Sequence, residues 1–144
     1  CKIFDALSHI EFYQKANELG CIFLFDIKGI DPDKHLENTG VSTERIHKNL
    51  EHLLNNNAKV IIRMPIIPTM NDSESDLELL KDFLASIKDK IMYAEIMPYH
   101  NLGVEKSRRL GKEQEDNIPN GKPFAKQWQE ILLKSGAVVK ISGE

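Results

Sequence analysis

Three segments of the chain place charged or ring-bearing side chains where an apolar run ends. The first, Phe25-Asp26-Ile27-Lys28-Gly29, sets a carboxylate and an ammonium two residues apart, and residues i and i+2 of a strand share a face. Such a pair can hold a zwitterion, a cation or a carboxylate, or can simply close an ion pair at a sheet edge. The second, Ile61-Ile62-Arg63-Met64-Pro65, carries a guanidinium inside an apolar run. An unpaired charge there costs several kcal/mol, so a ligand carboxylate or a neighbouring acid must answer it. The third, Glu95-Ile96-Met97-Pro98-Tyr99-His100-Asn101, is stopped by Pro98 and presents Tyr99 and His100 beyond the stop. An imidazole at that place suits acid/base work, metal ligation, stacking or a purely structural contact.

The other polar groups carry less. His47 and His52 are five residues apart, about 140° around a helix, which is not the i, i+4 pair that binds a metal. His9 and His35 have no companion ligand nearby in sequence. There is no Gly-x-Ser-x-Gly turn for a nucleophile, no Gly-x-Gly-x-x-Gly and no phosphate-cradling loop. Asp72, Glu74 and Asp76 crowd the start of a helical pattern, where the positive end of the helix dipole favours acids. Lys106, Arg108, Arg109 and Lys112 alternate with Glu105, Glu113 and Glu115, the pattern of a solvated face or, more specifically, a docking surface.

These side chains need a frame that brings strand ends together. Cys21–Ile27, Lys59–Pro65, Ile91–Pro98 and Ala137–Ile141 are rich in β-branched or aromatic residues and read as strands. Their continuous apolar runs, Ile22-Phe23-Leu24-Phe25 and Val60-Ile61-Ile62, predict parallel strands covered on both faces. Helical spacing fills the gaps. Thr43–Asn55 repeats Ile46, Leu50, Leu53 and Leu54 behind a Ser42 cap, and Ser73–Lys88 repeats Leu77, Leu80, Phe83, Leu84 and Ile87. Residues 10–19 and 124–135 read as helices too, Asp31-Pro32 as the start of a short helical turn, and Lys112–Lys122 as a mobile loop. The order is a βα repeat, either an open doubly wound sheet or part of a (βα) barrel with about four of its strands here. In both, ligands lie beyond the carboxyl ends of the strands.

The 144 residues, 41% hydrophobic and 28% charged, suit one soluble domain. A net charge of -3 gives no basic field for nucleic acid. No apolar run approaches the roughly 20 residues of a membrane helix, and Asp5 interrupts the stretch where a signal peptide would be apolar. The expected compartment is the cytoplasm. Cys1 and Cys21 are too few for a disulfide framework. Both are expected to be reduced, with Cys21 a small buried hydrophobe in its apolar run.

Four segments in order resemble the later half of the glycyl-radical enzyme activating enzymes, of the pyruvate formate-lyase activating type, in the radical S-adenosylmethionine superfamily. They are Phe23-Leu24-Phe25-Asp26-Ile27-Lys28; Asn38-Thr39-Gly40-Val41-Ser42; Ile62-Arg63-Met64-Pro65-Ile66-Ile67-Pro68 with Asn71-Asp72; and Met97-Pro98-Tyr99-His100-Asn101-Leu102-Gly103 with Lys106 and Leu110-Gly111. The resemblance implies a partial parallel (βα) barrel of TIM-like type with a [4Fe-4S] cluster and S-adenosylmethionine. The reduced cluster would cleave the sulfonium and give a 5′-deoxyadenosyl radical, which abstracts hydrogen from a glycine of a large partner enzyme of formate-lyase, decarboxylase or dehydratase type. Flavodoxin or ferredoxin would donate the electron. Carried over by motif, Asp26, Ile27 and Lys28 match the Asp-x-Lys beside the methionyl carboxylate, Arg63 matches a strand arginine near the same group, and His100 lines the adenosyl side.

The departures from that pattern are informative. No Cys-x3-Cys-x2-Cys occurs, so the cluster is not expected on this chain, and the Gly-Gly-Glu strand end of the superfamily is missing. Thr69 stands where the family often has glycine, and Ser107 and Gln114 where it tends to have tyrosine. The expectation is therefore a single domain, residues 1–144, forming the carboxyl-terminal part of such a barrel and inactive alone. A non-catalytic docking module for a glycyl-radical enzyme is the alternative. A third reading takes Asp26-x-Lys28 with Asp31-Pro32 as the strand end of an orotidine monophosphate decarboxylase-type barrel, which would need a late Gly-rich phosphate loop where only Ser142-Gly143 stands.

Overall fold

The computed structural model describes residues 10–31, 43–100 and 118–143. All four apolar runs form strands: β1 is Ile22–Asp26, β2 Lys59–Ile66, β3 Tyr93–Pro98 and β4 Val139–Ile141. They make one sheet in chain order, β1-β2-β3-β4, and every pairing is parallel. Between them run α1 (Ile10–Glu18), α2 (Thr43–Asn55), α3 (Glu74–Ile87) and α4 (Ala125–Leu133). Ser73 caps α3, its Oγ accepting the Asp76 N–H at 3.2 Å. Asp76 Oδ2 accepts a hydrogen bond from the Ser73 hydroxyl in return, at 2.5 Å, so at least one of the clustered acids serves the helix start. Lys122–Phe124, at the end of the segment expected to be a loop, forms a turn of 3-10 helix.

Strand order decides between the two α/β plans. A doubly wound sheet reverses its order at a switch point and carries helices on both faces. Here order follows the chain, and successive crossovers of one hand lay all their helices on one side. The core confirms this. Val60, Ile62, Met64 and Ile66 of β2 meet Leu50, Leu53 and Leu54 of α2, Leu77, Leu80 and Leu84 of α3, and Trp128 and Leu132 of α4 in one buried cluster. Burying each such side chain contributes about 1.5–3 kcal/mol. The architecture is a partial parallel (βα) barrel of TIM-like type.

Two expectations are corrected by the same feature. β1 was predicted to be covered on both faces, yet Ile22 is 50% and Leu24 59% exposed. Cys21, expected to be buried, is exposed with a free thiol. β1 is an edge strand among the described residues, and the helices cover only the face that carries Phe23, Phe25 and Ile27. A continuous apolar run therefore marks a parallel strand without guaranteeing a second layer. Among the described residues no helix is long and apolar enough to cross a membrane. Cys1, His9, His35, the Asp31-Pro32 turn beyond Asp31, the Ser42 cap, the Asn38–Ser42 motif, the basic group at 106–112 and the loop from 112 to 117 lie outside the described residues.

Candidate functional site

On the helix-free face the parallel register lines up one row of ionisable residues. Asp26 stands opposite Arg63, Arg63 opposite Glu95, and Glu95 opposite Lys140. Signs alternate along the row. The Arg63 guanidinium lies 3.8 Å from Asp26 Oδ1 through Nη1 and 3.5 Å from Glu95 Oε2 through Nε. Its partner is therefore a pair of neighbouring acids, one on each side. Lys140 turns its ammonium over the Tyr93 ring, 3.9 Å from the centroid, a cation–π contact on the next rung down.

The other residues chosen from the sequence stand at the same carboxyl edge, and Ile27 alone bonds to this row, through its backbone. Lys28 is exposed, two residues past Asp26, and forms no ion pair among the described residues. Ile27 turns its side chain into the core at 3% exposure, while its N–H donates to Arg63 O at 2.8 Å. Only its backbone faces the strand end. His100 is exposed, just past Pro98. Its approach is fixed by Tyr99, whose N–H donates to Ile66 O at 3.0 Å and whose carbonyl accepts from Gly121 N–H at 2.9 Å. Because β2 lies between β1 and β3, the strands that lead to Lys28 and His100 are about 10 Å apart, two strand spacings. Asp26 and Arg63 are thus brought together, and Lys28 and His100 flank them on either side.

Sequence reasoning passed over Glu95, Lys140 and Asn71 as site residues. Counting the β2–β3 register would have found Glu95, since it falls opposite Arg63 on a strand whose alternate residues, Ala94 and Ile96, are buried. Among the described residues no group of three or more His, Cys, Asp or Glu is placed to hold a metal.

No family model matches the chain. It is 41% identical over 105 residues to the choline trimethylamine-lyase activating enzyme of Oleidesulfovibrio alaskensis, covering 72% of this chain and 34% of that protein. It is 30% identical over 142 residues to the 4-hydroxyphenylacetate decarboxylase activating enzyme of Clostridioides difficile, covering 96% and 44%. A pyruvate formate-lyase-activating enzyme of Staphylococcus epidermidis is 39% identical over 103 residues, covering 72% and 39%. The chain thus spans less than half the length of these relatives. In fold it resembles a crystallised domain of the pyruvate-formate lyase-activating enzyme of Bacteroides vulgatus, with a TM-score of 0.73 at 24% identity over 95% of this chain and 76% of that one. The homologues of this chain are the glycyl-radical enzyme activating enzymes, of which it spans a part.

Proposed function

We propose that this chain is the carboxyl-terminal part of a radical S-adenosylmethionine enzyme that installs a glycyl radical on a partner enzyme of formate-lyase, decarboxylase or dehydratase type, with flavodoxin or ferredoxin as electron donor. The observation that carries the reading is the set of polar groups along the carboxyl edge of β1 to β3, in a homologue of the activating enzymes. Asp26, Lys28, Arg63 and His100 offer a carboxylate, an ammonium, a guanidinium and an imidazole. That donor set complements an amino-acid zwitterion at one end and a nucleoside at the other. Lys28, with no ion pair among the described residues, is the cation open to the methionyl carboxylate. Arg63, already shared between Asp26 and Glu95, fixes the carboxylate of Asp26 in place. Ile27 contributes backbone only, and His100 supplies a flat ring beside the adenosyl group.

When bound, the cofactor supplies the radical chemistry, and the protein supplies position and charge. A [4Fe-4S] cluster is held by cysteine thiolates. The two cysteines of this chain do not fit that demand, so the cluster is assigned to a part of the parent protein outside it, and the chain alone is inactive. Calorimetric titration of the full-length, cluster-loaded protein with S-adenosylmethionine tests the site. Lys28→Ala should weaken binding by about 1.5–3 kcal/mol, the worth of a hydrogen bond to a charged group. Unchanged affinity would return Lys28 to a structural role. Stoichiometric iron and sulfide in this chain after anaerobic reconstitution would overturn the assignment of the cluster elsewhere.

A further inference from the structure

The loop leaving β2 is folded around one side chain. Asn71 Oδ1 accepts the Ile67 N–H at 2.7 Å, and its Nδ2 donates to two carbonyls, Pro65 O at 2.9 Å and Lys28 O at 3.0 Å. A side-chain amide has two hydrogens, and here each goes to a different strand end. The sequence accounts for the need. Ile27 N–H donates to Arg63 O at 2.8 Å, and the next rung of a parallel ladder would run from the N–H of residue 65 back to Ile27. Residue 65 is proline and has no N–H. Backbone pairing of β1 with β2 therefore stops one residue short of Lys28, and the Asn71 amide continues it.

We propose, on the assignment of Lys28 to the ligand carboxylate made above, that Asn71 is a positioning residue for that site: its amide latches the Lys28 carbonyl to the end of β2 and so sets where the Lys28 ammonium stands. The neighbouring contacts make the latch stiff. Asp72 Oδ1 accepts the Thr69 N–H at 2.7 Å, and Met70 N–H donates to Ile67 O at 3.1 Å, so Asn71 is presented from a loop that is itself cross-braced. A cation at the end of a strand gains most for a ligand when its backbone is already in place before binding.

Asn71→Asp isolates the latch. The carboxylate keeps an acceptor for Ile67 N–H, and so keeps the loop, while replacing both donors with an oxygen that faces two carbonyls. In the full-length, cluster-loaded protein, calorimetry with S-adenosylmethionine should show affinity falling roughly tenfold in Asn71→Asp, with the Ile67 amide still protected from hydrogen exchange. In a Lys28→Ala background the same substitution should change affinity less than twofold, because the group it positions is gone. Asn71→Ala, which removes the acceptor as well as both donors, should lose at least as much affinity. Full affinity in Asn71→Asp where Lys28→Ala has lost it would overturn the proposal, and so would an equal loss in both backgrounds. Failure of both Asn71 variants to fold would make the residue a folding determinant and overturn it as well. Full affinity in Lys28→Ala would locate the failure in the site assignment instead.

Discussion

Removing the charge of Glu95 tests whether the alternating row on the open face is held by electrostatics. Glu95 and Arg63 are about equally sheltered, with side chains 25% and 27% exposed, and their closest N to O distance is 3.5 Å. Two unit charges at that distance attract by about 1 kcal/mol in bulk water and about 5 kcal/mol at an effective dielectric constant near 20. Partial desolvation of both groups and the ordering of two long side chains offset most of the upper figure. The second acid softens the loss, because Asp26 remains 3.8 Å from Arg63. Glu95→Gln should therefore cost about 1 kcal/mol, which for a chain of 144 residues lowers the melting temperature by roughly 3 °C. Thermal denaturation followed by circular dichroism, at low salt and in 1 M NaCl, reads the effect. The deficit should shrink at high salt, where the Debye length contracts from about 10 Å to about 3 Å. A variant as stable as the parent at low salt would refute the reasoning, as would a deficit that salt leaves untouched.

Thr69 has φ 71, the left-handed region that a β-branched residue rarely enters. Thr69→Gly should therefore stabilise the chain by about 0.5–1 kcal/mol after the extra backbone entropy of glycine is charged against it; a lower urea midpoint would contradict this. Gly121 has an ordinary φ of -76, but an added Cβ would sit 3.0 Å from both Trp128 Cη2 and Tyr99 N. Gly121→Ala should cost about 1–3 kcal/mol through overpacking, and parental stability in urea would show that the Trp128 ring can yield. The exposed Cys21 thiol should react with an aromatic disulfide reagent in the native chain as fast as in urea, whereas slow native labelling would restore it to the core.

Much of the fold was legible in the residues because local pattern and tertiary packing agree. Thr43–Asn55 keeps the bounds its Leu50, Leu53 and Leu54 spacing predicts, and these three leucines are buried. β2 is apolar on consecutive residues and has Val60, Ile61 and Ile62 buried on both faces. β1 misled, since its apolar run reports the kind of strand and says nothing of how many layers surround it. At the site, strand ends could be located from proline and charge, which placed Asp26, Arg63 and His100 at one edge. Pairing across strands could not be read that way. Glu95 becomes Arg63's neighbour only through a register between residues 32 positions apart, and Asn71 reaches Lys28 across 43. The left-handed backbone at Thr69 becomes visible only once φ is known.

The chain-order sheet has a consequence for how the molecule is made. Among the described residues each of β2, β3 and β4 lies beside the strand synthesised just before it, so each pairing closes over a single βα unit. Closing a loop costs more as it lengthens, and proteins rich in near-neighbour pairings fold faster than those that knit remote ones. A nascent chain can thus grow by accretion, β2 docking on β1, β3 on β2 and β4 on β3, with each helix sealing the strand pair behind it as it leaves the ribosome. Until β4 is in place, the growing edge of the described sheet is the newest strand, which the next one covers, while the outer edge of β1 stays open throughout.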